Sequence, residues 1–217
     1  MSQLQQEILA DTWVKATWEE YLQAIEQVDR SGTYYKSYYS DGYYRLEMTP
    51  IGNDHACDHT IVVYTVNLYG TLKNLDFQGR DNCSYRKMGV REVQPDASYY
   101  FGSKADIIPY GTSIIDLDVY PAPDLVIEVS NTTIADDLGN KRLLYEELGV
   151  SEYWVVDVVN ARVIAFAMLE RGSQRVDISR GLPGLSIALV TEALQRSREN
   201  NHGIVARWLL EQFQLQT

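Results

Sequence analysis

A carboxylate lies inside an otherwise apolar, strand-like run of this chain. Residues 124–130 read Asp-Leu-Val-Ile-Glu-Val-Ser, so Glu128 is surrounded in sequence by branched apolar side chains. Such a run is typical of a strand that is covered on both faces of its sheet. A carboxylate buried there costs several kcal/mol unless a cation or hydrogen-bond donors pair with it. The sequence therefore predicts a buried strand in which Glu128 has a specific partner.

Helical and strand-like patterns alternate before this run. A capping-box pattern at residues 17–20 begins an N-terminal helix. The Asp-Gly pair at 41–42 predicts a hairpin turn between β-prone runs at 34–39 and 43–48. Apolar residues at helical spacing then predict a long helix over about 55–73.

Further strands and helices follow. A helix is predicted over 134–148, and surface helices form the tail, where Ile204, Trp208 and Leu209 step toward Phe213 as an amphipathic face. The predicted strands of this half cover residues 92–101, 124–130, 152–157, 161–168 and 174–178. Strands followed by helices and more strands are typical of an α/β fold, with a central mixed β-sheet flanked by helices.

Length and composition indicate one folded domain. The chain has 217 residues, of which 45% are hydrophobic, which is enough for a well-buried core. We expect a single domain over 1–217, with the N-terminal helix and hairpin at about 12–48, a core at about 49–180 and C-terminal helices at about 185–217. No signal peptide or membrane-spanning run is recognisable, which predicts a cytosolic protein. Cys57 and Cys83 are expected to be free thiols in that compartment.

The net charge limits the nucleic-acid partners that the chain can bind. A formal net charge of -11 argues against a protein that coats nucleic acid by bulk electrostatics. One segment between Phe77 and Gln94 carries a local excess of basic side chains, but a solvated hairpin explains it at least as well. Any contact with DNA must therefore be local.

Four ionisable side chains adjoin predicted strands or a helix that packs on one: Glu47, Asp96, Glu128 and Lys141. Hydrolysis of a phosphodiester requires an attacking water and a charge sink for the transition state. Mg²⁺ is held by one or two carboxylates together with waters and substrate phosphate, so Asp96 and Glu128 would suffice, with Glu47 as a third ligand. A nearby lysine would orient or deprotonate the water, a role that fits Lys141.

Several motifs, in their order and spacing, resemble one known family. They are Arg45-Leu46-Glu47-Met48-Thr49-Pro50 with His55 following, Gln94-Pro95-Asp96, Pro123-Asp124-Leu125-Val126-Ile127-Glu128-Val129-Ser130, Asp137-Leu138-Gly139-Asn140-Lys141 and Gly149-Val150-Ser151-Glu152-Tyr153-Trp154. The chain resembles, over nearly its whole length, the restriction endonuclease family called Uma-two, within the PD-(D/E)XK nuclease superfamily.

The resemblance implies a restriction-endonuclease-like fold and a metal-dependent endonuclease that hydrolyses DNA, with Mg²⁺ or Mn²⁺ as the cofactor. In the superfamily pattern a Glu-x-Lys triplet lies on one strand, whereas here the triplet reads Glu128-Val129-Ser130. The resemblance implies that the role of the lysine has moved to the following helix, which makes Lys141 the matching residue. It also makes His55 an accessory residue that would bind phosphate or water.

Asp96 is preferred to Asp124 as the aspartate of the site. Asp124 and Glu128 lie four residues apart on one strand. A rise of about 3.3 Å per residue separates their Cα atoms by roughly 13 Å. One metal ion could hardly bridge them.

Each of these residues also has a structural interpretation. Lys141 could form a surface ion pair with Asp137 four residues earlier. Glu47 could be a solvated strand end, Asp96 a turn cap and His55 a helix cap. The predicted burial of Glu128 is the hardest of these features to explain without an active site.

Two other functions stay open. A non-catalytic module for binding nucleic acid or protein could keep this fold and use the tyrosine-rich hairpin to meet a partner that the sequence does not identify. A zinc-dependent hydrolase could be centred on His55 and His59, which are spaced four residues apart, although no glutamate follows the first histidine. Because nucleases of this shape often cut two strands as a pair, we also expect a homodimer.

Overall fold

The computed structural model describes residues 10–48 and 51–215. Thr49 and Pro50 of the Glu47 motif, and the start of the chain before residue 10, lie outside the described residues. The chain divides into two compact units. The first comprises Met1–Pro50, Ser84–Gln94 and Ser113–Val119, and the second comprises Ile51–Cys83, Pro95–Thr112 and Tyr120–Thr217. The single domain expected over 1–217 stays a prediction.

The described helices and strands follow in chain order. They are β1 (Val14–Lys15), α1 (Trp18–Ser31), β2 (Lys36–Ser40), β3 (Tyr43–Glu47), α2 (Asn53–Leu72), β4 (Phe77–Asp81), β5 (Tyr85–Lys87), β6 (Arg91–Val93), β7 (Ala97–Phe101), β8 (Ile115–Asp116), β9 (Leu125–Ser130), α3 (Ile134–Leu138), α4 (Asn140–Glu147), β10 (Glu152–Asp157), β11 (Arg162–Leu169), β12 (Gly172–Val176), α5 (Ile187–Arg196) and α6 (His202–Leu215). A short 3₁₀ turn, Gly102–Lys104, follows β7.

The first unit is a sheet of order β1-β3-β2-β6-β5-β8 with α1 packed on it. The predicted capping box forms, since Thr17 Oγ accepts from the Glu20 backbone N–H and the Glu20 carboxylate accepts from the Thr17 N–H at 2.7 Å. The Asp-Gly pair makes the β2–β3 turn, with positive φ at Asp41 and Gly42. The predicted N-terminal helix and hairpin are both confirmed.

The hairpin tyrosines build the core of this unit. Tyr38, Tyr39 and Tyr44 are buried, and the Tyr39 ring meets Trp18 of α1 edge to face at 5.0 Å between centroids. Tyr43 on the same hairpin is exposed. Because Tyr38 and Tyr39 are consecutive and both buried, the hairpin is covered on both faces at this point, and packing accounts for most of the cluster.

The second unit contains a mixed sheet of order β12-β11-β10-β9-β7-β4. Strands β9 and β10 run parallel, while their neighbours are antiparallel. One face carries Leu125, Ile127 and Val129 of β9 into an apolar core that includes residues of α2, α5 and α6. Because side chains alternate along a strand, Val126, Glu128 and Ser130 point to the opposite face, and α3 contacts β9 and β10 there. The predicted mixed sheet flanked by helices is confirmed.

Three predicted elements differ from the structure. The strand expected over 92–101 is two strands, because Pro95 lacks the N–H that a continuous ladder needs, and β6 and β7 belong to different sheets. The helix expected over 134–148 breaks at Gly139 into α3 and α4. The tail helices do not lie only on the surface, since Val205, Leu209 and Phe213 of α6 are in the core while Ile204 is exposed.

Cys57 and Cys83 are not joined in a disulfide, as expected from the sequence. Within residues 10–48 and 51–215, no helix combines the length and the apolar character needed to cross a membrane.

A fully buried carboxylate holds a loop against the sheet of the second unit. Glu152, at the start of β10, is 0% exposed. Its Oε1 accepts from Trp154 Nε1 at 2.6 Å, and its Oε2 accepts from the backbone N–H groups of Arg180 and Gly181 at 2.8 Å each and from Ser179 Oγ at 3.1 Å. Four donors offset the cost of burying the charge. Glu152, in the motif at residues 149–154, is thus a structural clamp that holds the loop at residues 179–181 against β10.

We expect Glu152→Gln to lower the free energy of unfolding by at least about 2 kcal/mol, because an amide has one acceptor oxygen and would place an NH₂ group against N–H donors. Urea denaturation measures this loss. The control is Glu192→Gln on α5, whose half-exposed carboxylate pairs with Arg196, and its effect should stay within about 0.5 kcal/mol. Equal effects of both variants would contradict the clamp.

A second buried carboxylate makes stability depend on pH. Asp58 of α2 is 1% exposed and pairs with Arg198, which also donates to Val158 O at 2.7 Å. Burial raises the pKa of Asp58 to about 6, although Arg198 opposes the shift. The folded state therefore binds a proton that the unfolded chain releases near pH 4. The stability from this proton is present below pH 4 and is lost as pH rises through 6.

We expect the stability of the wild type relative to Asp58→Asn to fall by up to about 3 kcal/mol between pH 4 and pH 7, because two pKa units correspond to that free energy. Chemical denaturation of both proteins at several pH values measures this difference in stability. Titrations that the two proteins share cancel in the difference. Asp106→Asn, at an exposed position, should show no such trend. A difference in stability between the wild type and Asp58→Asn that does not change with pH would contradict the raised pKa of Asp58.

Candidate active site

Glu128 has the partners that its sequence context requires. Its side chain is 2% exposed in the middle of β9. Tyr145 of α4 donates its hydroxyl hydrogen bond to Glu128 Oε1 at 2.6 Å. The ammonium Nζ of Lys141 lies 3.7 Å from the same oxygen. A cation and a neutral donor on one helix thus stabilise the charge of Glu128.

Lys141 lies between two carboxylates. Its Nζ is 3.0 Å from Asp137 Oδ1, and the Lys141 side chain is 2% exposed. Thr133 donates its hydroxyl hydrogen bond to Asp137 Oδ2 at 2.6 Å, which fixes the second carboxylate. The interpretation of Lys141 as part of a surface ion pair is therefore wrong, because the pair with Asp137 exists but is buried and includes Glu128.

Gly139 separates the two helices that supply these groups. It has φ -106° and ψ -100°, which ends α3 after Asp137 and begins α4 before Lys141. A Cβ at this position would lie 2.9 Å from the carbonyl oxygen of Ala135. Any other residue here would force the backbone to shift, so Gly139 itself accounts for the break between α3 and α4.

Ser130 occupies the position where the superfamily pattern has a lysine. It lies two residues after Glu128 and therefore on the same face of β9. Ser130 is fully buried, and its Oγ is 3.3 Å from Thr133 Oγ. The cation near Glu128 comes instead from α4, as the resemblance implied.

Asp96 immediately precedes β7, the strand next to β9, and the first residue of β7, Ala97, is paired with Ile127. Asp96 Oδ2 accepts from the backbone N–H of Val129 at 2.6 Å, and Asp96 Oδ1 is 3.5 Å from His55 Nε2. The carboxyl group is therefore fixed beside the backbone that follows Glu128. Two contacts of the second unit join predicted site residues, Asp96 with His55 and Glu128 with Lys141.

His55 is not a helix cap. The residue before α2 is Gly52, and His55 lies in the first turn, where its ring contacts Asp96. Asp124 is occupied elsewhere, since its carboxylate accepts from the Phe101 N–H at 2.9 Å and pairs with Lys104 at 2.6 Å. The choice of Asp96 over Asp124 as a metal ligand stays a prediction.

Glu47 belongs to the first unit, at the end of β3. Its side chain is 17% exposed, and Oε1 accepts from Arg45 Nε at 3.1 Å. It is therefore paired rather than merely solvated. Its part in the site stays a prediction.

The metal site expected from the sequence stays a prediction. Within the described part of the chain, no three His, Cys, Asp or Glu side chains are placed to hold one ion. His55 and His59 are 6.4 Å apart between ring centroids, and each contacts its own aspartate, Asp96 or Asp81. A zinc site on these histidines therefore has no third ligand among the described residues. A Mg²⁺ ion keeps several of its waters, so it needs only one or two protein carboxylates.

Sequence reasoning missed two tyrosines that surround the ion pair. Tyr145 contacts Glu128, and Tyr153 donates to the backbone oxygen of Asp137 at 3.0 Å. Burial raises the pKa of the Tyr153 phenol well above its ordinary value, with Asp137 and Glu128 adding to the shift, so this donor stays protonated. Asp137, Lys141 and Tyr145 are spaced by four residues, and that polar spacing was the available signal.

The geometry can be compared with known proteins. The model of the Uma2 family, described as "Putative restriction endonuclease", matches residues 18–214. The chain belongs to this family. Uma2 membership accounts for the ordered motifs that include Asp96, Glu128 and Lys141. No curated protein matches the chain.

A solved structure shows a similar fold. It is described as a putative nuclease belonging to DUF820 from Anabaena variabilis, with a TM-score of 0.53 and 17% sequence identity. The match covers 73% of this chain and 90% of the other. At this identity the likeness shows the fold, and it confirms the restriction-endonuclease-like architecture expected from the Uma2 resemblance.

We expect Lys141→Met to lower the free energy of unfolding by about 3 to 5 kcal/mol, because it leaves two buried carboxylates without their cation. The double variant Lys141→Met/Glu128→Gln should recover part of the loss, and the coupling is read from a double-mutant cycle of denaturation curves.

The control for this prediction is Lys104→Met, which removes a 40%-exposed lysine from Asp124 and should cost about 1 kcal/mol or less. A loss at Lys141 no larger than this, or no coupling with Glu128, would contradict the buried pairing.

Proposed function

We propose that this protein is a Mg²⁺-dependent endonuclease that hydrolyses phosphodiester bonds of DNA. The observation that carries the proposal is the contact between Lys141 and Glu128 at 3.7 Å, on a buried strand whose neighbour presents Asp96. A lysine in contact with the carboxylate of one strand, and a second carboxylate where the adjacent strand begins, suit metal-assisted phosphodiester chemistry. Uma2 membership supports the nuclease class.

Each residue has a proposed task. Asp96 and Glu128 would hold Mg²⁺, or Mn²⁺ in its place. A bound ion would supply a charge sink for the extra negative charge on the phosphoryl group. Lys141 would orient the attacking water or balance the phosphoryl charge. His55, in contact with Asp96, would bind phosphate or water as an accessory group.

The hydrogen bonds around the carboxylates support these tasks. Val129 N–H fixes one oxygen of Asp96, and Tyr145 fixes one oxygen of Glu128. Carboxylates held in this way need little rearrangement to accept an ion. The acidic chain makes the proposed contact with DNA local to the site. A homodimer in the cytosol, which would present two sites to two strands, completes the proposal.

A second candidate is a binding module that keeps the fold without cleavage. The observation in its favour is that Lys141 is already neutralised by Asp137 and Glu128, and that the residues described include no set of three metal ligands. In that case the buried network would serve stability alone. Metal binding and cleavage separate the two candidates.

We expect the purified protein to cut plasmid or single-stranded DNA with Mg²⁺ or Mn²⁺ and not with EDTA. Asp96→Asn and Glu128→Gln should each lower the rate by at least about 100-fold, because an ion that stabilises the transition state contributes several kcal/mol. Gel assays of initial rates measure the loss, and calorimetry measures the metal affinity.

The matched control is Asp106→Asn, which alters an exposed carboxylate and should leave the rate unchanged. Melting curves establish that the variants are folded. A folded wild type that neither binds divalent metal nor cuts DNA would favour the binding module instead.

A further inference from the structure

A cavity of about 650 Å³ lies in the second unit between α2 and the strands β4 and β7. This size is within the range of cavities that bind small molecules. Its helical wall includes His59, Val63 and Asn67, which are spaced by four residues and therefore share one face of α2. Tyr64, also in the lining, is 39% exposed, so the cavity reaches the surface.

Two side-chain atoms of the lining, Asn67 Oδ1 and Arg80 Nη1, are buried without a hydrogen-bond partner among the residues that the structure describes. His59 Nε2 also makes no hydrogen bond, but the Asp81 carboxylate lies 3.4 Å from it. Buried polar atoms are nearly always paired, so an unpaired one points to a missing partner. Asn67 Oδ1 can only accept and Arg80 Nη1 can only donate. The cavity therefore favours a ligand that carries both an N–H or O–H donor and an acceptor atom.

The strand wall is flat and partly aromatic. Gly79 of β4 has no side chain, and a Cβ there would lie 2.9 Å from the ring of Tyr99. Phe77 and Tyr99 both line the cavity, with ring centroids 6.3 Å apart. Tyr99 is buried and its ring is stacked on Phe101, so the aromatic side chains that a planar ligand can contact are the half-buried Phe77 and the exposed Tyr64. Such contacts suit a planar ring, since stacking does not require particular hydrogen bonds.

Charged side chains of the lining supply both an acceptor and a donor. Asp81 lines the cavity, and its carboxylate is 3.4 Å from His59 Nε2. With Asn67 it gives the cavity two acceptors for amino groups. Arg80, which also lines the cavity, offsets the charge of Asp81 and can donate to a ring nitrogen or a carbonyl oxygen. A planar ligand that carries amino donors beside ring acceptors therefore matches the lining.

The polar end of the cavity adjoins the candidate active site. His59 is one helical turn from His55, and His55 Nε2 is 3.5 Å from Asp96. The backbone N–H of Asn82, the residue after Asp81, donates to Asp96 O at 3.0 Å. If one strand of DNA occupied both places, a base of that strand would lie in the cavity and a nearby phosphodiester would lie at Asp96.

We propose that this cavity binds the base of one unpaired nucleotide, with an amino-bearing base preferred to thymine. The inference rests on the proposed function, because it assigns the cavity to the DNA strand that is cut. A base inside a duplex is stacked and cannot enter a pocket unless it is flipped out. The preferred substrate is therefore single-stranded DNA or a duplex with an unpaired nucleotide next to the cleaved bond.

The test measures binding without cleavage. Metal-free protein is titrated by calorimetry with dAMP, dCMP, dGMP and TMP, and with deoxyribose 5-phosphate as the ligand that lacks a base. We expect the amino-bearing nucleotides to bind at least about fivefold tighter than TMP, and the sugar phosphate not to bind. Asn67→Leu and, separately, Tyr64→Ala should each weaken nucleotide binding by about tenfold. Tyr110→Ala, at a fully exposed tyrosine outside the lining, should not.

The outcomes separate the cavity from the catalytic proposal. Equal binding by the wild type, Asn67→Leu and Tyr64→Ala overturns the cavity assignment, as does binding of the sugar phosphate as tight as that of the nucleotides. DNA cleavage without base binding overturns this inference and leaves the proposed function standing. Base binding by a protein that cuts no DNA supports the cavity and rejects the nuclease. Asp96→Asn, which should stop cleavage, should bind nucleotides like the wild type.

Discussion

The charge of Glu128 is the constraint on which the second unit depends. A carboxylate on a strand that is buried on both faces must be matched by groups brought from elsewhere in the chain. Lys141 and Tyr145 supply the match from α4, and Asp137 and Thr133 fix the lysine. The helices are therefore held over this face by polar contacts, whereas the opposite face is held by an apolar core.

Much of the fold could be predicted because local signals and tertiary structure agree. The capping box at Thr17, the Asp-Gly turn at 41–42 and the apolar run around Glu128 each identify an element that the structure contains. The errors arise where one residue overrides a longer pattern. Pro95 divides a strand-like run, and Gly139 divides a helical one.

The site was predicted less completely than the fold. Single residues such as Asp96 and Glu128 could be chosen by their position near strands, and Lys141 by resemblance. Which of their oxygens are bonded depends on tertiary packing, so Tyr145 and Tyr153, two tyrosines among many, had no distinguishing sequence signal except spacing. The burial of the Asp137–Lys141 pair was also not predicted, because an i,i+4 pair of opposite charges is most often solvated.

Gly139 has a consequence for how the ion pair assembles. In a Glu-x-Lys triplet both charges lie on one strand, so a single strand with its side chains on one face is sufficient to align them. Here the acid and the base come from elements joined through a backbone break, and they meet only after α4 has packed onto the sheet. The chain cannot hold a half-formed site of this kind. The proposed phosphodiesterase chemistry is therefore confined to the fully folded state, and partly folded forms would be chemically silent toward nucleic acid.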